Sequence, residues 1–342
     1  MSAFLQVRDL HVQFPTEDGI VNAVDGVSFD LERGRTLAIV GESGSGKSVT
    51  AQAIMGLLNR QVAQVSGQVL LDGADLIAMD DDGIRHLRGK QMAMVFQDPM
   101  SSLHPYYRVG DQLVEAVLVH QKVSKQEARE QSIDMLARVG IPAPQRRIDD
   151  YPHQLSGGMR QRVMIAMGLI NDPELLIADE PTTALDATVQ AQILELIARL
   201  SAELDTAVIL ITHDLGIVAS VADDVAVMYG GRVVEQADVS TLYARPQMPY
   251  TLGLLGSVPR LDRTRTDRLE SIPGSPPALL ALPTGCVFHP RCAYRDLVPD
   301  GRCRTERPEL LEVEPAHRVR CHLPADERSA IAVDVLARID AR

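Results

Sequence analysis

The chain has 342 residues, enough for about two domains, and its 45% hydrophobic and 23% charged content is that of an ordinary globular protein. Its net charge of −12 excludes a general nucleic-acid binder, which carries a basic excess or stripe. The longest uncharged run, 271–288, contains Pro273, Pro276, Pro277 and Pro283 and so cannot be a membrane-spanning helix. Met1–Leu10 lacks the basic start and apolar run of a signal peptide. A cytoplasmic chain is expected, either soluble or held to a membrane by partners.

In chain order, Phe4–Phe14 is rich in strand formers, Pro15–Gly19 reads as a turn, and Ile20–Val24 and Val27–Leu31 read as further strands. Together they predict an antiparallel layer. Phe14 offers an aromatic face on which a base can stack, or else is an ordinary edge-strand phenylalanine. Thr36–Val40 then reads as a short buried strand and Val49–Leu58 as a helix. Between them Gly41–Ser48 fits G-x-x-x-x-G-K-[ST]. In that context Gly41, Gly44 and Gly46 let the backbone approach a phosphate. Successive N–H groups, those of Ser43 and Ser45 among them, then turn inward. Lys47 reaches the β- and γ-phosphates, and the Ser48 hydroxyl ligates Mg²⁺. A bound nucleotide is expected.

Gly67–Gly73 and Met92–Phe96 read as strands, the second ending at Gln97. A glutamine there can touch the metal or the attacking water, or simply close a strand. Asp111–His120 and Ser124–Val139 have helical spacing, ended by Pro142 and Pro144, and predict an inserted helical subdomain over about 101–170. Within it, Ser156-Gly157-Gly158 opens an apolar helix and forms a second anion-binding end, or else only an N-cap and a turn. Two such ends hint at two chains meeting around ATP.

Leu175–Glu180 is an apolar run that delivers two carboxylates at the edge of a parallel strand. Asp179 suits Mg²⁺, and Glu180 suits a general base acting on water. Ala184-Leu185-Asp186 opens another helix. Val208–Thr212 is a buried strand ending on His213, which can hydrogen-bond a γ-phosphate or serve as a cap.

All four cysteines, Cys286, Cys292, Cys303 and Cys321, lie near the C-terminal end. A reducing compartment argues against disulfides. The spacings C-x5-C, C-x10-C and C-x17-C contain no C-x-x-C pair and fit a zinc ribbon poorly. A 4Fe–4S cluster needs four thiolates and tolerates varied spacing. Free structural thiols remain the alternative.

Taken together the motifs resemble the ATP-binding subunits of ABC transporters. Gly41–Ser48 matches Walker A, Gln97 the Q-loop, Leu155–Gln161 the signature, Leu175–Asp179 Walker B with Glu180 beside it, Ala184–Asp186 the D-loop and His213 the switch histidine. Phe14 stands where that family places its adenine-stacking aromatic. Phe96–Pro105, Glu180–Asp186, Pro246–Thr251 and Ile272–Pro277 are similar to the dipeptide and oligopeptide branch, with His104 where Asn is commoner.

The resemblance implies an α/β fold: a P-loop (RecA-like) core, an antiparallel β-subdomain, a helical insertion, and a small cysteine-containing extension. The expected domains are 1–250 and 251–342. It also implies an ATPase that powers peptide import, with nickel or glutathione as other cargoes of the same family. Catalysis would rest on Glu180, His213 and Gln97. ATP would be held by Phe14, the P-loop, Ser156, Gly157, Gly158 and Asp186. Mg²⁺ would be bound by Ser48, Gln97 and Asp179.

Members of the branch carry a 4Fe–4S cluster, and Gly285–Cys292 resembles its motif, although the gap from Cys292 to Cys303 is longer than usual. The implied partners are a second ATPase, a paralogue of this chain, two transmembrane permease subunits and an extracytoplasmic peptide-binding protein, with no nucleic acid. The implied location is peripheral, on the cytoplasmic face of the membrane. A soluble ABC ATPase of DNA repair or translation fits less well, because no long coiled-coil insertion or second ATPase domain is visible.

Overall fold

The structure is a computed structural model that describes residues 3–98, 102–183, 185–258 and 272–341. Of the motif residues, Pro99, Met100, Ser101, Ala184 and Ser271 lie outside the described set. The chain divides into two compact units that alternate along the sequence. One holds Leu31–Thr36 and Met79–Ile211; the other holds Phe4–Asp30, Leu37–Ala78 and Thr212–Arg342.

From Phe4 the chain builds the second of these units, with β1 (Leu5–Thr16), β2 (Gly19–Leu31), β3 (Thr36–Val40), α1 (Lys47–Ile54), β4 (Gln64–Leu71) and β5 (Ala74–Asp75). A four-stranded sheet runs β2-β1-β4-β5. β1 and β4 pair antiparallel from Leu5↔Leu71 to Gln13↔Gln64, and their register shifts between Arg8 and His11. The shift has a local cause: Asp9 takes φ 47, and a Cβ on Gly67 would stand 2.3 Å from the Asp9 carbonyl oxygen. The two strands expected over 20–31 are one strand of 13 residues, in which Gly26 takes φ 75. The expected turn shrinks to Glu17–Asp18. Pro15 lies near the end of β1, where the missing N–H is tolerated.

The other unit follows with α2 (Asp81–Leu87), β6 (Met92–Val95), α3 (Val109–His120), α4 (Lys125–Arg138), α5 (Pro144–Arg147), α6 (Gly157–Leu169), β7 (Leu175–Asp179), α7 (Ala187–Leu204) and β8 (Ala207–Thr212). β6, β7 and β8 are parallel, with Leu175 facing Met92 on one side and Ala207 on the other. Every residue of β7 and β8 is buried, as uninterrupted apolar runs between covered faces require. The helices fall where the periodicity predicts. Ser124 and Glu127 close a reciprocal capping box on α4.

The chain then returns through α8 (Leu215–Val221), β9 (Asp224–Tyr229), β10 (Arg232–Asp238), α9 (Val239–Ala244), α10 (Pro249–Gly256), α11 (Arg302–Thr305), β11 (Leu311–Glu314), β12 (His317–Val319) and α12 (Ala325–Ala341). β3 runs parallel to β9, and β9, β10, β12 and β11 continue antiparallel in that order. The C-terminal segment therefore extends the sheet that carries the P-loop. Cys286, Val287, Phe288 and Cys303 share one core with Val40, Val227 and Tyr229. Among the described residues no helix is long and apolar enough to cross a membrane.

Candidate functional site

The loop after β3 has the form its glycines impose. A Cβ on Gly41 would lie 2.2 Å from the Met228 carbonyl oxygen, and one on Gly46, at φ 100, 2.3 Å from that of Ala23. Neither position admits a side chain. A Cβ on Gly44 would meet nothing within 4 Å, so the crest of the loop is open. Gly46 is the N-cap of α1, and the Thr50 hydroxyl donates to its carbonyl at 2.9 Å. Lys47 is 4% exposed, and its Nζ donates to the carbonyls of Gly41 (2.7 Å) and Glu42 (3.0 Å). The ammonium therefore lies against the loop that the N-terminus of α1 faces, an arrangement made for polyphosphate. Ser43 is exposed, Ser45 buried and Ser48 half-buried. Phe14 stands half-buried near the end of β1, and His213 is exposed directly after β8. Asp214 caps α8 by accepting from Gly216 N–H at 2.8 Å.

The unit built on β6–β8 assembles the acidic end. Asp179, 6% exposed, closes β7 beside Ile211. Glu180 leaves the strand at φ 46, a left-handed backbone that a non-glycine residue adopts only under constraint. Its N–H is held by the Ile211 carbonyl at 2.9 Å. Its carboxylate Oε2 accepts from Gln97 Nε2 and from Thr183 Oγ1, both at 2.9 Å. Gln97 and Glu180, separated by 83 positions, are thus brought into direct contact. Thr183 was invisible to sequence reading as a partner of Glu180; its place three residues after the acid is the only signal.

Ser156 is the N-cap that its residue type suggests. Its hydroxyl accepts from Met159 N–H at 3.3 Å as the N-cap of α6, and the Ser156-Gly157 end is exposed. A Cβ on Gly158 would sit 3.0 Å from Val189 Cγ1. The start of α6 therefore packs on the start of α7, where Asp186 accepts from Val189 N–H at 3.0 Å.

The four cysteines are free thiols. Cys286 N–H donates to the Cys303 carbonyl at 2.9 Å, and a Cβ on Gly285 would stand 2.4 Å from that oxygen. Only glycine lets the two segments approach so closely. Burial pushes the thiols up, Cys286 and Cys292 to about 11 and Cys321 to about 12. Neighbouring cysteines push in the same direction: Cys303 and Cys292 on Cys286, Cys303 on Cys292, and Cys286 and Cys292 on Cys321. The donor set is right for a cluster and gathers in one core. As the side chains stand, however, no three or more His, Cys, Asp or Glu among the described residues form a group able to hold a metal ion. The expected iron–sulfur site is therefore not formed in this geometry.

Sequence reading also missed contacts around the P-loop. Glu42 N–H donates to the Tyr250 hydroxyl at 2.9 Å, and the Glu42 carboxylate pairs with Arg291 at 2.5 Å.

Known proteins share this organisation. The ABC transporter family model matches residues 24–183, and the model of the oligopeptide/dipeptide transporter C-terminal region matches 234–297. The Dipeptide transport ATP-binding protein DppD of Bacillus subtilis is 52% identical over 97% of this chain and 98% of its own length. The Oligopeptide transport ATP-binding protein OppD of Escherichia coli is 49% identical over 95% of this chain and 94% of its own length. The OppD of Mycobacterium bovis is 53% identical over 94% of this chain, which spans only 52% of that longer relative. Among solved structures, an ATP-binding cassette dimer with ADP and Pi superposes at TM-score 0.62, with 26% identity over 69% of this chain and 98% of its own. The ABC transporter subunit cbiO1 of Clostridium perfringens gives 0.61, with 32% identity over 71% of this chain and 92% of its own.

Proposed function

The chain belongs to the ATP-binding subunits of ABC transporters, in the oligopeptide and dipeptide branch, and on that premise we propose that it hydrolyses ATP to power peptide import. The observation that carries the reading is the grip on Glu180, whose carboxylate accepts from Gln97 and Thr183 at the end of a fully buried strand. A carboxylate held in this way is an oriented base for water.

Lys47 and the P-loop, Gly41 through Ser48, bind the phosphates. Ser48, Gln97 and Asp179 would hold Mg²⁺, which would supply charge neutralisation to the polyphosphate. Phe14 stacks on the adenine, and His213 bonds the γ-phosphate. Ser156, Gly157, Gly158 and Asp186 of one chain meet the ATP held by the P-loop of another, so that a second ATPase subunit, a paralogue, completes two sites. Residues 1–250 form the nucleotide-binding domain and 251–342 the extension. Two transmembrane permeases and an extracytoplasmic peptide-binding protein complete a transporter that this chain serves from the cytoplasmic face. The four cysteines are the thiolate donors that a 4Fe–4S cluster would need, a reading that rests on the donor set and on the resemblance and requires their side chains to turn from the geometry seen here.

The test is uptake of labelled di- and oligopeptides by the complete transporter in proteoliposomes loaded with Mg²⁺–ATP. Wild type should transport peptide and release phosphate. Glu180→Gln should lose hydrolysis by at least about 100-fold while still binding nucleotide, the range for loss of a positioned base. Uptake of Ni²⁺ or glutathione with no uptake of peptide would overturn the cargo and leave the ATPase standing.

A further inference from the structure

The P-loop is clamped by a residue 249 positions away, next to Cys292. Arg291 is 8% exposed. Its Nη1 donates to Glu42 Oε2 at 2.5 Å and its Nη2 to Glu42 Oε1 at 3.0 Å, a two-pronged pair with the second residue of the P-loop. The rest of the guanidinium is also engaged. Nε donates to the Pro273 carbonyl at 2.8 Å, Nη2 to that of Ile272 at 3.2 Å, and Nη1 to the Tyr229 hydroxyl at 3.3 Å. All three nitrogens are used, so the fork has one orientation. The guanidinium lies 5.8 Å from the Tyr229 ring centroid, and Tyr229 packs with Tyr250 and Phe288 at centroid distances of 4.6–5.3 Å. Tyr250, with no exposed surface, accepts the N–H of Glu42 at 2.9 Å.

Glu42 is therefore held twice, by its carboxylate and by its backbone. With its N–H bonded to Tyr250, Glu42 does not offer that donor to a phosphate. We propose that Arg291, together with Tyr250, is a positioning residue for ATP. It fixes the P-loop backbone at Glu42 and with it the aim of the N–H groups that follow. The C-terminal cysteine segment thereby becomes a structural part of the nucleotide site. Donors that are already aimed need no reorganisation when the phosphates arrive, which is where affinity is gained. The inference rests on the reading of this loop as an ATP site.

The experiment is equilibrium binding of Mg²⁺–ATP to the full-length chain, with thermal unfolding measured on the same samples. The variants are Arg291→Gln, Arg291→Lys, Glu42→Ala and the double variant Glu42→Ala/Arg291→Gln. Arg291→Gln should raise Kd about tenfold, within the range that small misplacements cost. Arg291→Lys keeps the charge without the fork and should recover only part of this. The double variant should bind no worse than either single variant, because both remove one interaction. An unchanged Kd in Arg291→Gln alongside a lowered Tm would overturn the proposal, leaving a staple with no part in binding. So would additive effects in the double variant. If Arg291→Gln does not fold, Glu42→Ala, whose side chain is 27% exposed, decides alone: a tenfold rise supports the proposal and an unchanged Kd overturns it. Wild-type protein that binds no Mg²⁺–ATP would remove the nucleotide reading itself, and the inference with it.

Discussion

Glu180 shows at the scale of one residue how much of a site is set by its surroundings. Its carboxylate shares two donors, and its backbone is held at φ 46 by the bond to Ile211. Left-handed geometry at a non-glycine position persists only when neighbours over-determine it. Thr183→Val should remove one donor without altering the loop glycines or Lys47. The expected loss in kcat is about fivefold, equivalent to about 1 kcal/mol for one hydrogen bond, with KM for ATP nearly unchanged. Steady-state phosphate release at several ATP concentrations checks it. An effect confined to KM would assign Thr183 to binding and not to the orientation of Glu180.

At the scale of an element, helix ends show how a local expectation is trimmed by the residues beside it. The helix after the P-loop is expected over 49–58 but spans Lys47–Ile54, because the loop residues already serve as its first turn and Gly56 at φ 61 ends it. The caps behave as the residue types require: Ser124, Ser156, Asp186, Asp214 and Asp238 each accept from a backbone N–H at a helix start.

Asp238 carries a pH signature. Hydrogen bonds from Ser240 and Thr241 hold its carboxyl down at about 2. The folded value lies below the ordinary 3.8, so the stability it confers is complete above the ordinary value and is lost as pH falls through about 2. Asp238→Ala should cost about 1 kcal/mol near neutrality. That deficit should shrink in urea titrations repeated towards pH 2; a deficit independent of pH would mean that the cap acts without its charge.

At the scale of the molecule, the C-terminal segment is not an appendage. β12 pairs with β10, and the cysteine-bearing stretch packs in the core that also holds Val40 and Tyr229, at the ends of β3 and β9. The buried pair of Glu235 and His317, 2.8 Å apart, ties β10 to β12. Anaerobically purified protein should contain about four irons and four acid-labile sulfides per chain, with broad absorption near about 400 nm. One zinc, or no metal, would refute the cluster and leave the thiols as buried core residues. Zinc would then need a ligand arrangement that the spacing does not suggest.

Local chemistry was written into the sequence wherever function depends on short-range spacing. Gly41–Ser48 implies a phosphate loop because glycines and a lysine at those intervals do one job. Leu175–Glu180 implies a buried strand bearing acids because strands buried on both faces read as unbroken apolar runs. Caps, turns and the helical insertion follow from nearest-neighbour preferences of the same kind. Contacts between distant residues were out of reach: Gln97 on Glu180, Arg291 on Glu42, the merger of two expected strands into β2, and the packing of four unevenly spaced cysteines into one core. Each depends on which surfaces the folded chain buries against each other, a consequence of sheet order and packing and not of any local run of residues. The sequence determined the parts of a nucleotide site. The tertiary structure decided what holds them in place.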